Sequence, residues 1–322
     1  MYLKDLYKNG YNIMQYLRDK KNIDNNDIYS ICCAYDMQSG SYIKNYEANI
    51  NSDEQIMVTT AIGGGNNNPV VSKYIVKKEY YQLHAQAIYK IFNNLSPSLS
   101  SILDAGTGEA TSLYSILKNY EKIPNNIYAV DISLSRLLYG RRFLETKGYS
   151  NKVNFATGNI FELPFMDSSI ELVFTIHAAE PNTDRERDIL QELYRVSSKY
   201  IVMIEPSYNL GTENTRKNIE KHKYIKNLYS TALELGYKII EYRLFDISSE
   251  RNNSELLIIE KNFNDNYTEK CVPYACPKCK SKMINYNNQY YCNDCYTIYP
   301  VIHNIPCLNK EYGIFCSKFM EF

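Results

Sequence analysis

Short apolar runs separated by amphipathic segments give the middle of this chain its clearest pattern. The runs at residues 102–105, 128–130, 170–176 and 200–204 have the length of buried strands. Between the last two, residues 185–196 place apolar side chains at helical spacing. Strands that alternate with helices predict an α/β domain built on a mostly parallel sheet.

The first 95 residues show a different pattern, which is mainly helical. Residues 10–20, 27–47 and 71–95 have helix-like apolar spacing, so we expect a helical cap over residues 1–95. Residues 59–70 contain three glycines and three asparagines before Pro69, which excludes regular structure. This stretch is either a substrate-contacting loop or a plain linker between helices. The polar residues 36–42 are either a substrate-facing cluster or a surface break in a helix.

A glycine-rich turn follows the first apolar run and carries the most specific chemistry. Gly106 and Gly108 lack the side chains that would keep a ligand away from the backbone, and Asp104 precedes them. Asp131 ends the next run, where a carboxylate accepts hydrogen bonds from ribose hydroxyls. Glu109 stands at the start of the following helix, where it would repel a diphosphate. The pattern therefore predicts a nucleoside site for a cationic or uncharged ligand.

These residues resemble motif I and the following acidic position of the class I S-adenosylmethionine-dependent methyltransferases. Gly158-Asn159-Ile160 resembles the segment of that family that contacts the adenine, although Asn159 stands where the family often has aspartate. The resemblance covers residues 96–262 and implies a Rossmann-like, seven-stranded sheet with helices on both faces. It implies that S-adenosylmethionine is bound by Asp104, Ala105, Gly106, Gly108, Asp131, Ile132, Asn159, Ile160 and His177.

Candidate catalytic groups follow the fourth strand, where the resemblance places groups that face the methyl acceptor. His177 is the candidate general base and Glu180 its orienting partner or an acceptor contact, since one helical turn would bring them together. The alternative is that His177 packs against the cofactor and Glu180 caps a helix. His84 is the other candidate base, although a structural role is favoured for it, and Glu205 could line the acceptor side. We expect His222 to be exposed and His303 to belong to the C-terminal module.

Two Cys-x-x-Cys pairs near the C-terminus predict a structural zinc site. Four thiolates close the tetrahedron around Zn²⁺ and leave no open position for catalysis. The ligands are Cys276, Cys279, Cys292 and Cys295, and either Cys271 or Cys307 could replace one of them. Residues 299–306 resemble the hairpin of a small bacterial zinc-ribbon family whose eukaryotic and archaeal relative activates methyltransferases. We therefore expect residues 268–322 to form a small, β-rich zinc ribbon.

Composition changes the picture in one respect, which concerns the acceptor. Lys plus Arg and Asp plus Glu both number 36, whereas proteins that grip nucleic acid through its phosphates carry a basic surplus. No apolar run approaches the length of a membrane span, and we expect a cytoplasmic protein. A small-molecule or saccharide acceptor is therefore favoured over nucleic acid.

Other functions stay open at this point. One is an RNA or protein methyltransferase that recognises its substrate through the zinc ribbon. Another is a scaffold that binds the cofactor without catalysis, although the intact glycines and acids speak against it. A nicotinamide-dependent reductase is disfavoured because Glu109 would oppose the diphosphate.

Overall fold

The N-terminal part of the protein forms the cap that covers one end of the central sheet. The computed structural model describes residues 2–52, 56–60, 72–77, 79–149, 151–248, 252–261 and 274–321. The cap contains five helices and a two-stranded antiparallel hairpin: α1 (Leu3–Lys8), α2 (Ile13–Lys21), α3 (Ile28–Met37), α4 (Ser41–Ile50), β1 (Ile56–Thr60), β2 (Ser72–Val76) and α5 (Tyr80–Leu95).

The cap is helical as predicted and is interrupted between Met37 and Ser41, within the polar stretch for which a helix break was one prediction; one other boundary was predicted wrongly. Residues 27–47 form two helices because Gly40, with a φ of 90°, separates α3 from α4. Residues 72–76, predicted as the start of a helix, instead pair with β1, so that helical structure begins only at Tyr80. The stretch at residues 59–70 begins inside β1, and residues 61–70 lie outside the described part of the chain.

The α/β core follows in the chain. Its elements are β3 (Ser101–Ala105), α6 (Thr111–Leu117), β4 (Asn126–Asp131), α7 (Leu134–Thr146), β5 (Asn154–Thr157), β6 (Ile170–Ile176), α8 (Glu186–Val196), β7 (Ser197–Pro206), α9 (Glu213–His222), α10 (Leu228–Glu234), β8 (Lys238–Leu244) and β9 (Ser254–Glu260). The seven strands form one sheet in the order β5-β4-β3-β6-β7-β9-β8. Strand β9 runs in the direction opposite to that of the other six. The predicted mostly parallel, seven-stranded sheet is confirmed.

Both faces of the sheet are buried at its central strands β3, β6 and β7, which explains why these strands are continuous apolar runs, whereas the edge strand β8 is partly exposed. Side chains alternate between faces, so Ile102 and Ile127 pack into one hydrophobic cluster while Leu103 and Tyr128 pack into another. The first cluster includes side chains of α5, α6 and α7, and the second those of α8 and α10. The core thereby fixes the carboxyl ends of β3, β4 and β6 at a single edge.

The C-terminal part is a small β module that packs against the core. It contains the antiparallel strands β10 (Ile284–Tyr286), β11 (Gln289–Cys292), β12 (Thr297–Tyr299) and β15 (Ile314–Phe315), with the hairpin of β13 (Val301–Ile302) and β14 (Ile305–Pro306). Its side chains Cys276, Met283, Cys292, Tyr299 and Leu308 belong to the same hydrophobic cluster as the sheet.

Polar contacts tie this module to the loop that follows β5. The backbone N–H of Ala275 donates to the carbonyl of Pro164 at 3.0 Å, and Lys310 pairs with Glu162 at 2.8 Å. Asn309 also donates to the carbonyl of Ile132 at 3.4 Å, directly after β4. The module therefore supports the backbone on one side of the sheet edge at which the candidate residues meet. None of the helices in the described ranges has the length and apolar character that a bilayer crossing requires.

Candidate functional site

A cleft at the carboxyl ends of β3, β4 and β6 brings together most of the predicted residues. It holds about 970 Å³ of space not occupied by protein atoms, part of it open to solvent. Open α/β sheets place their ligands at this edge. We call it the central cleft; its lining includes Gly106, Glu109, Asp131, Ile132, Arg136, Asn159, Ile160, His177 and Glu180, together with Tyr35 and Tyr42 of the cap.

The glycine-rich turn has the tight geometry that its sequence predicts. Gly106 has a φ of 94°, and a Cβ added there would lie 2.2 Å from the Cβ of Ala178. Gly108 has a φ of 57°, and its Cβ would lie 2.4 Å from Arg136 Nη2. Any side chain at either position would collide with a neighbour and strain the backbone. The turn is thus shaped by close packing on both sides of the cleft.

Asp131 connects the glycine turn to the start of α7. Its Oδ2 accepts the N–H of Gly108 at 2.8 Å, and its Oδ1 accepts the N–H of Ser133 at 2.9 Å. Each carboxylate oxygen keeps a second lone pair, so the group can also accept hydrogen bonds from a ligand diol. Asp131 can therefore both shape the cleft and bind within it.

Asn159 lies across the cleft from the glycine turn, on the loop after β5. Its side-chain oxygen accepts the N–H of Phe161 at 3.1 Å. This hydrogen bond fixes the orientation of the side-chain amide and therefore the direction in which its NH₂ group can donate. The N–H of Gly158 donates to the carbonyl of Asp131 at 3.0 Å and holds this loop against β4.

Three predicted residues do not line the cleft. Gly108 lies behind Arg136, while Asp104 and Ala105 are buried at the end of β3. Burial raises the pKa of the Asp104 carboxyl to about 7, and the negative charge of Asp131 acts in the same direction. Asp104 can act on a bound ligand only through its charge or through a shift of the turn.

Glu109 binds the backbone of the cap and not the start of its own helix. Its carboxylate accepts the N–H groups of Gly40 at 2.8 Å and Ile43 at 2.9 Å, at the N-terminus of α4. Its own helix, α6, begins only after Ala110, which has a left-handed conformation. Burial raises the pKa of Glu109, although these hydrogen bonds oppose the rise. Glu109 thus fastens the cap to the glycine turn.

Arg136 is a residue of the cleft that the sequence interpretation missed. Its guanidinium lies 4.5 Å from the ring centroid of Tyr42 and 5.3 Å from that of Tyr35. The Asp131 carboxylate is 4.0 Å away, and its charge together with that of Glu109 raises the pKa of Arg136 against the effect of burial. Its position one turn into α7 was the available signal, because that turn faces the end of β4.

His177 and Glu180 are in contact as predicted, but not through a helical turn, since residues 177–179 form a bend and His177 has a φ of 52°. Nδ1 of His177 lies 3.1 Å from Glu180 Oε2, and Nε2 lies 3.0 Å from Ser254 Oγ. Burial lowers the pKa of His177, but the hydrogen bond and charge of Glu180 outweigh that effect and raise it overall. A series of polar contacts from Ser254 through His177 to Glu180 therefore borders the cleft. The sequence did not predict Ser254 as a member because this residue lies on β9, far along the chain.

The other acidic and imidazole candidates have structural positions. Glu205 is fully buried and accepts the N–H groups of Ala178, Ala179 and Glu180 at 3.1–3.2 Å, so it does not line the cleft. Burial raises its pKa to about 7. The expectation that His222 is exposed was wrong, since only 4% of it is accessible.

The remaining two histidines agree with their assigned places. Burial, together with the nearby His177, lowers the pKa of His84 to about 3, which suits a structural histidine. His303 lies in the turn between β13 and β14.

Four cysteines form a separate cluster in the C-terminal module. The sulfurs of Cys276 and Cys295 are 3.5 Å apart, those of Cys279 and Cys292 are 3.4 Å apart, and all four lie within 4.8 Å of one another. Tetrahedral Zn²⁺ with bonds of about 2.3 Å separates its thiolates by about 3.8 Å, so this cluster could hold such an ion. Cys307 points elsewhere, toward the carbonyl of Ile305, and Cys271 lies outside the described residues.

Comparison with known proteins places the cleft within a recognised type of domain. Residues 102–199 match a family described as a methyltransferase domain. Ajmaline N-methyltransferase of Rauvolfia serpentina is 25% identical over 104 residues, which are 32% of this chain and 34% of that protein. The ubiquinone/menaquinone biosynthesis C-methyltransferase of Dinoroseobacter shibae is 28% identical over 130 residues, which are 39% and 51% of the two chains. The chain thus spans about a third to a half of the length of these relatives.

A solved structure extends the similarity of fold. Magnesium protoporphyrin IX methyltransferase from Synechocystis PCC 6803, with bound SAH, aligns with 73% of this chain and 100% of its own, with a TM-score of 0.51 and 13% identity. At this identity the match concerns the fold alone.

The Glu109 contact generates the first prediction. We expect Glu109→Gln to destabilise the protein by about 1–3 kcal/mol, because charged hydrogen bonds to two buried N–H groups are weakened. Urea unfolding should show the loss, and hydrogen exchange should accelerate at the start of α4. Glu47→Gln, an exposed carboxylate on the same helix, is the control. Equal stability and exchange in both variants would contradict the assignment.

Proposed function

We propose that this chain is an S-adenosylmethionine-dependent methyltransferase that acts on a small molecule. The observation that carries the proposal is that the segment matching methyltransferase domains, residues 102–199, contains the glycine turn, Asp131, Asn159, His177 and Glu180. The family match and the central cleft thus fall on the same segment of the chain.

The charges of the central cleft suit a cationic nucleoside. Glu109, Asp131 and Glu180 line it, and Arg136 is the one guanidinium or ammonium group among the lining residues. This excess of carboxylates favours a sulfonium ligand over a diphosphate. In the proposed arrangement Asp131 accepts from the ribose and Asn159 contacts the adenine, while the turn at Gly106 lets the backbone approach the rest.

The residues of the chain then have simple tasks. S-adenosylmethionine supplies an electrophilic methyl group when bound, so that the protein needs mainly to align the acceptor and exclude water. The cap closes the cleft through Tyr35 and Tyr42. Glu180 and His177 are proposed to accept a proton where the acceptor carries one, with Ser254 and Glu205 holding them in place.

A small-molecule acceptor is supported by the nature of the relatives and by charge. The two relatives are named for an alkaloid and for quinone biosynthesis, and the chain has no surplus of basic residues. A saccharide acceptor stays within this class. Action on RNA or protein through the C-terminal module has no specific structural observation in its favour.

We propose further that the four-cysteine module is a zinc ribbon that stabilises the cofactor site. The ribbon contacts Pro164, Glu162 and Ile132, which flank Asn159 and Asp131. We propose that the chain has three regions, at residues 1–95, 96–262 and 268–322, which pack against one another.

Calorimetric titration with S-adenosylmethionine, S-adenosylhomocysteine and NADH tests the proposed function. We expect both adenosyl ligands to bind and NADH not to bind. Asp131→Ala should weaken adenosyl binding by about 10- to 100-fold, as the loss of charged hydrogen bonds implies. Asp246→Ala, at an exposed carboxylate, is the control. Failure of both adenosyl ligands to bind would refute the proposal.

The raised pKa of Asp104 predicts how affinity changes with pH. Since the apo protein holds a proton on Asp104 below about pH 7, a cationic ligand should bind better as pH rises through that value. S-adenosylmethionine affinity should fall by up to about tenfold from pH 8 to pH 6, and Asp104→Asn should reduce this dependence, with Glu205, whose pKa is also about 7, contributing the rest. The free energy of unfolding of the apo protein should instead decrease from about pH 4 to pH 7, because in this range the folded protein keeps the Asp104 proton that the unfolded chain has lost. An unchanged pH profile in Asp104→Asn would exclude Asp104 as its source.

Metal analysis tests the zinc ribbon. We expect about one zinc per chain by mass spectrometry, since four thiolates complete one tetrahedral site. Cys279→Ser should lose zinc and weaken S-adenosylhomocysteine binding, whereas Cys316→Ser, at a thiol outside the cluster, should change neither. Full zinc content in Cys279→Ser would contradict the ligand assignment.

A further inference from the structure

A second cavity adjoins the central cleft, between the cap and the core. Tyr35, Tyr42 and Glu180 line both spaces, so these side chains form the boundary between them. The cavity encloses about 500 Å³ of atom-free space, part of it open to solvent. We call it the tyrosine cavity, because Tyr7, Tyr35, Tyr42 and Tyr224 supply four of its ten lining residues. Its position places any bound molecule next to the cofactor cleft.

The tyrosine cavity has one charged lining residue, the carboxylate of Glu180. Its other lining residues among those described are apolar, amide or phenolic. Glu180 is only 8% exposed, and its Oε2 contacts His177. A carboxylate that is largely removed from water gains most from a cationic or hydrogen-bonding partner. The cavity therefore selects against anions and favours a cation.

The four tyrosines strengthen this preference without adding charge. Burial is the main factor that raises the pKa of Tyr7, Tyr35 and Tyr42, so their phenols stay neutral at physiological pH. The faces of neutral aromatic rings attract ammonium groups, and the attraction is strongest where water is excluded. Arg136 already lies over the rings of Tyr35 and Tyr42, and its charge is offset by Asp131 and Glu109. The rings of this boundary are therefore suited to hold cations.

We propose that the tyrosine cavity binds the methyl acceptor as a protonated amine, with its ammonium group between the tyrosine rings and Glu180. Naming the bound molecule an acceptor rests on the proposed methyltransferase function. The apolar residues Ile13, Met14 and Ala34 would contact the hydrocarbon part of the amine, and Asn12 and Gln38 its polar substituents.

The same carboxylate gives the amine a route to reactivity. An ammonium group has no free electron pair, so it must first transfer a proton to Glu180. The nitrogen pair then forms the N–C bond to the methyl carbon while the C–S bond breaks and its electrons remain on sulfur. The product is a methylated ammonium and a neutral thioether, and the proton on Glu180 leaves to solvent. The 3.1 Å contact with His177 orients the Glu180 carboxylate for this transfer.

Binding of matched probes tests the proposal without any methyl transfer. Titrations of benzylamine, benzyl alcohol and benzoate would be made with the full protein saturated with S-adenosylhomocysteine. We expect benzylamine to bind at least tenfold more tightly than benzyl alcohol, and benzoate to bind worst. Glu180→Gln should remove this preference by weakening benzylamine binding about tenfold or more, with benzyl alcohol unaffected. Glu213→Gln, at an exposed carboxylate on α9, is the control.

A second variant keeps the test decisive if Glu180→Gln fails to fold. Tyr7→Leu should weaken benzylamine binding more than benzyl alcohol binding, whereas Tyr2→Leu, at a residue that is 83% exposed, should change neither. Equal affinities for the three probes, or an amine preference that survives both Glu180→Gln and Tyr7→Leu, would overturn the proposal. Failure of S-adenosylhomocysteine to bind wild type would instead refute the methyltransferase function, and with it the role of the amine as acceptor.

Discussion

Buried carboxylates that accept backbone N–H groups hold the functional edge of this protein together. Glu205 accepts three such groups in the turn after β6, Asp131 accepts two at the glycine turn and α7, and Glu109 accepts two at the start of α4. An ionised group out of water is costly unless it is fully hydrogen-bonded. Each loop is therefore constrained to the one geometry that satisfies its carboxylate. The cleft exists because these three constraints meet at one sheet edge.

This construction has a consequence for how the parts of the chain cooperate. The cap reaches the glycine turn through Glu109, and its tyrosines form a wall shared by the central cleft and the tyrosine cavity. On the opposite side, the cysteine module contacts the loop that carries Asn159. The proposed ligand sites thus have contacts with all three sequence regions.

The sequence predicted the features that local chemistry dictates. The positive φ values of Gly106 and Gly108 follow from a tight turn at a strand end. The spacing of three residues predicted the His177–Glu180 contact, although it forms across a bend and not across the helical turn that was expected. The Cys-x-x-Cys pairs likewise fix their sulfurs close together. In each case the interacting groups are close together in the sequence, or their residue types are typical of a single kind of site.

Features that depend on distant partners were not predictable. Ser254 reaches His177 across 77 positions, and Gly40 reaches Glu109 across 69, so that no local pattern marks either pair. The strand β2 has apolar spacing that also fits a helix, and only its pairing with β1 decides between them. The position of Arg136 at the start of α7 indicated only that it lies near the end of β4, and its partners from the cap were not predictable.

The central claim is that one cleft binds an adenosyl ligand through Asp131 and the glycine turn. A crystal structure of the full chain with S-adenosylhomocysteine tests it most directly. The account predicts the ribose within hydrogen-bond distance of Asp131, the adenine beside Asn159, and the sulfur facing the boundary formed by Tyr35, Tyr42 and Glu180. A ligand bound elsewhere, with the central cleft vacant, would contradict it.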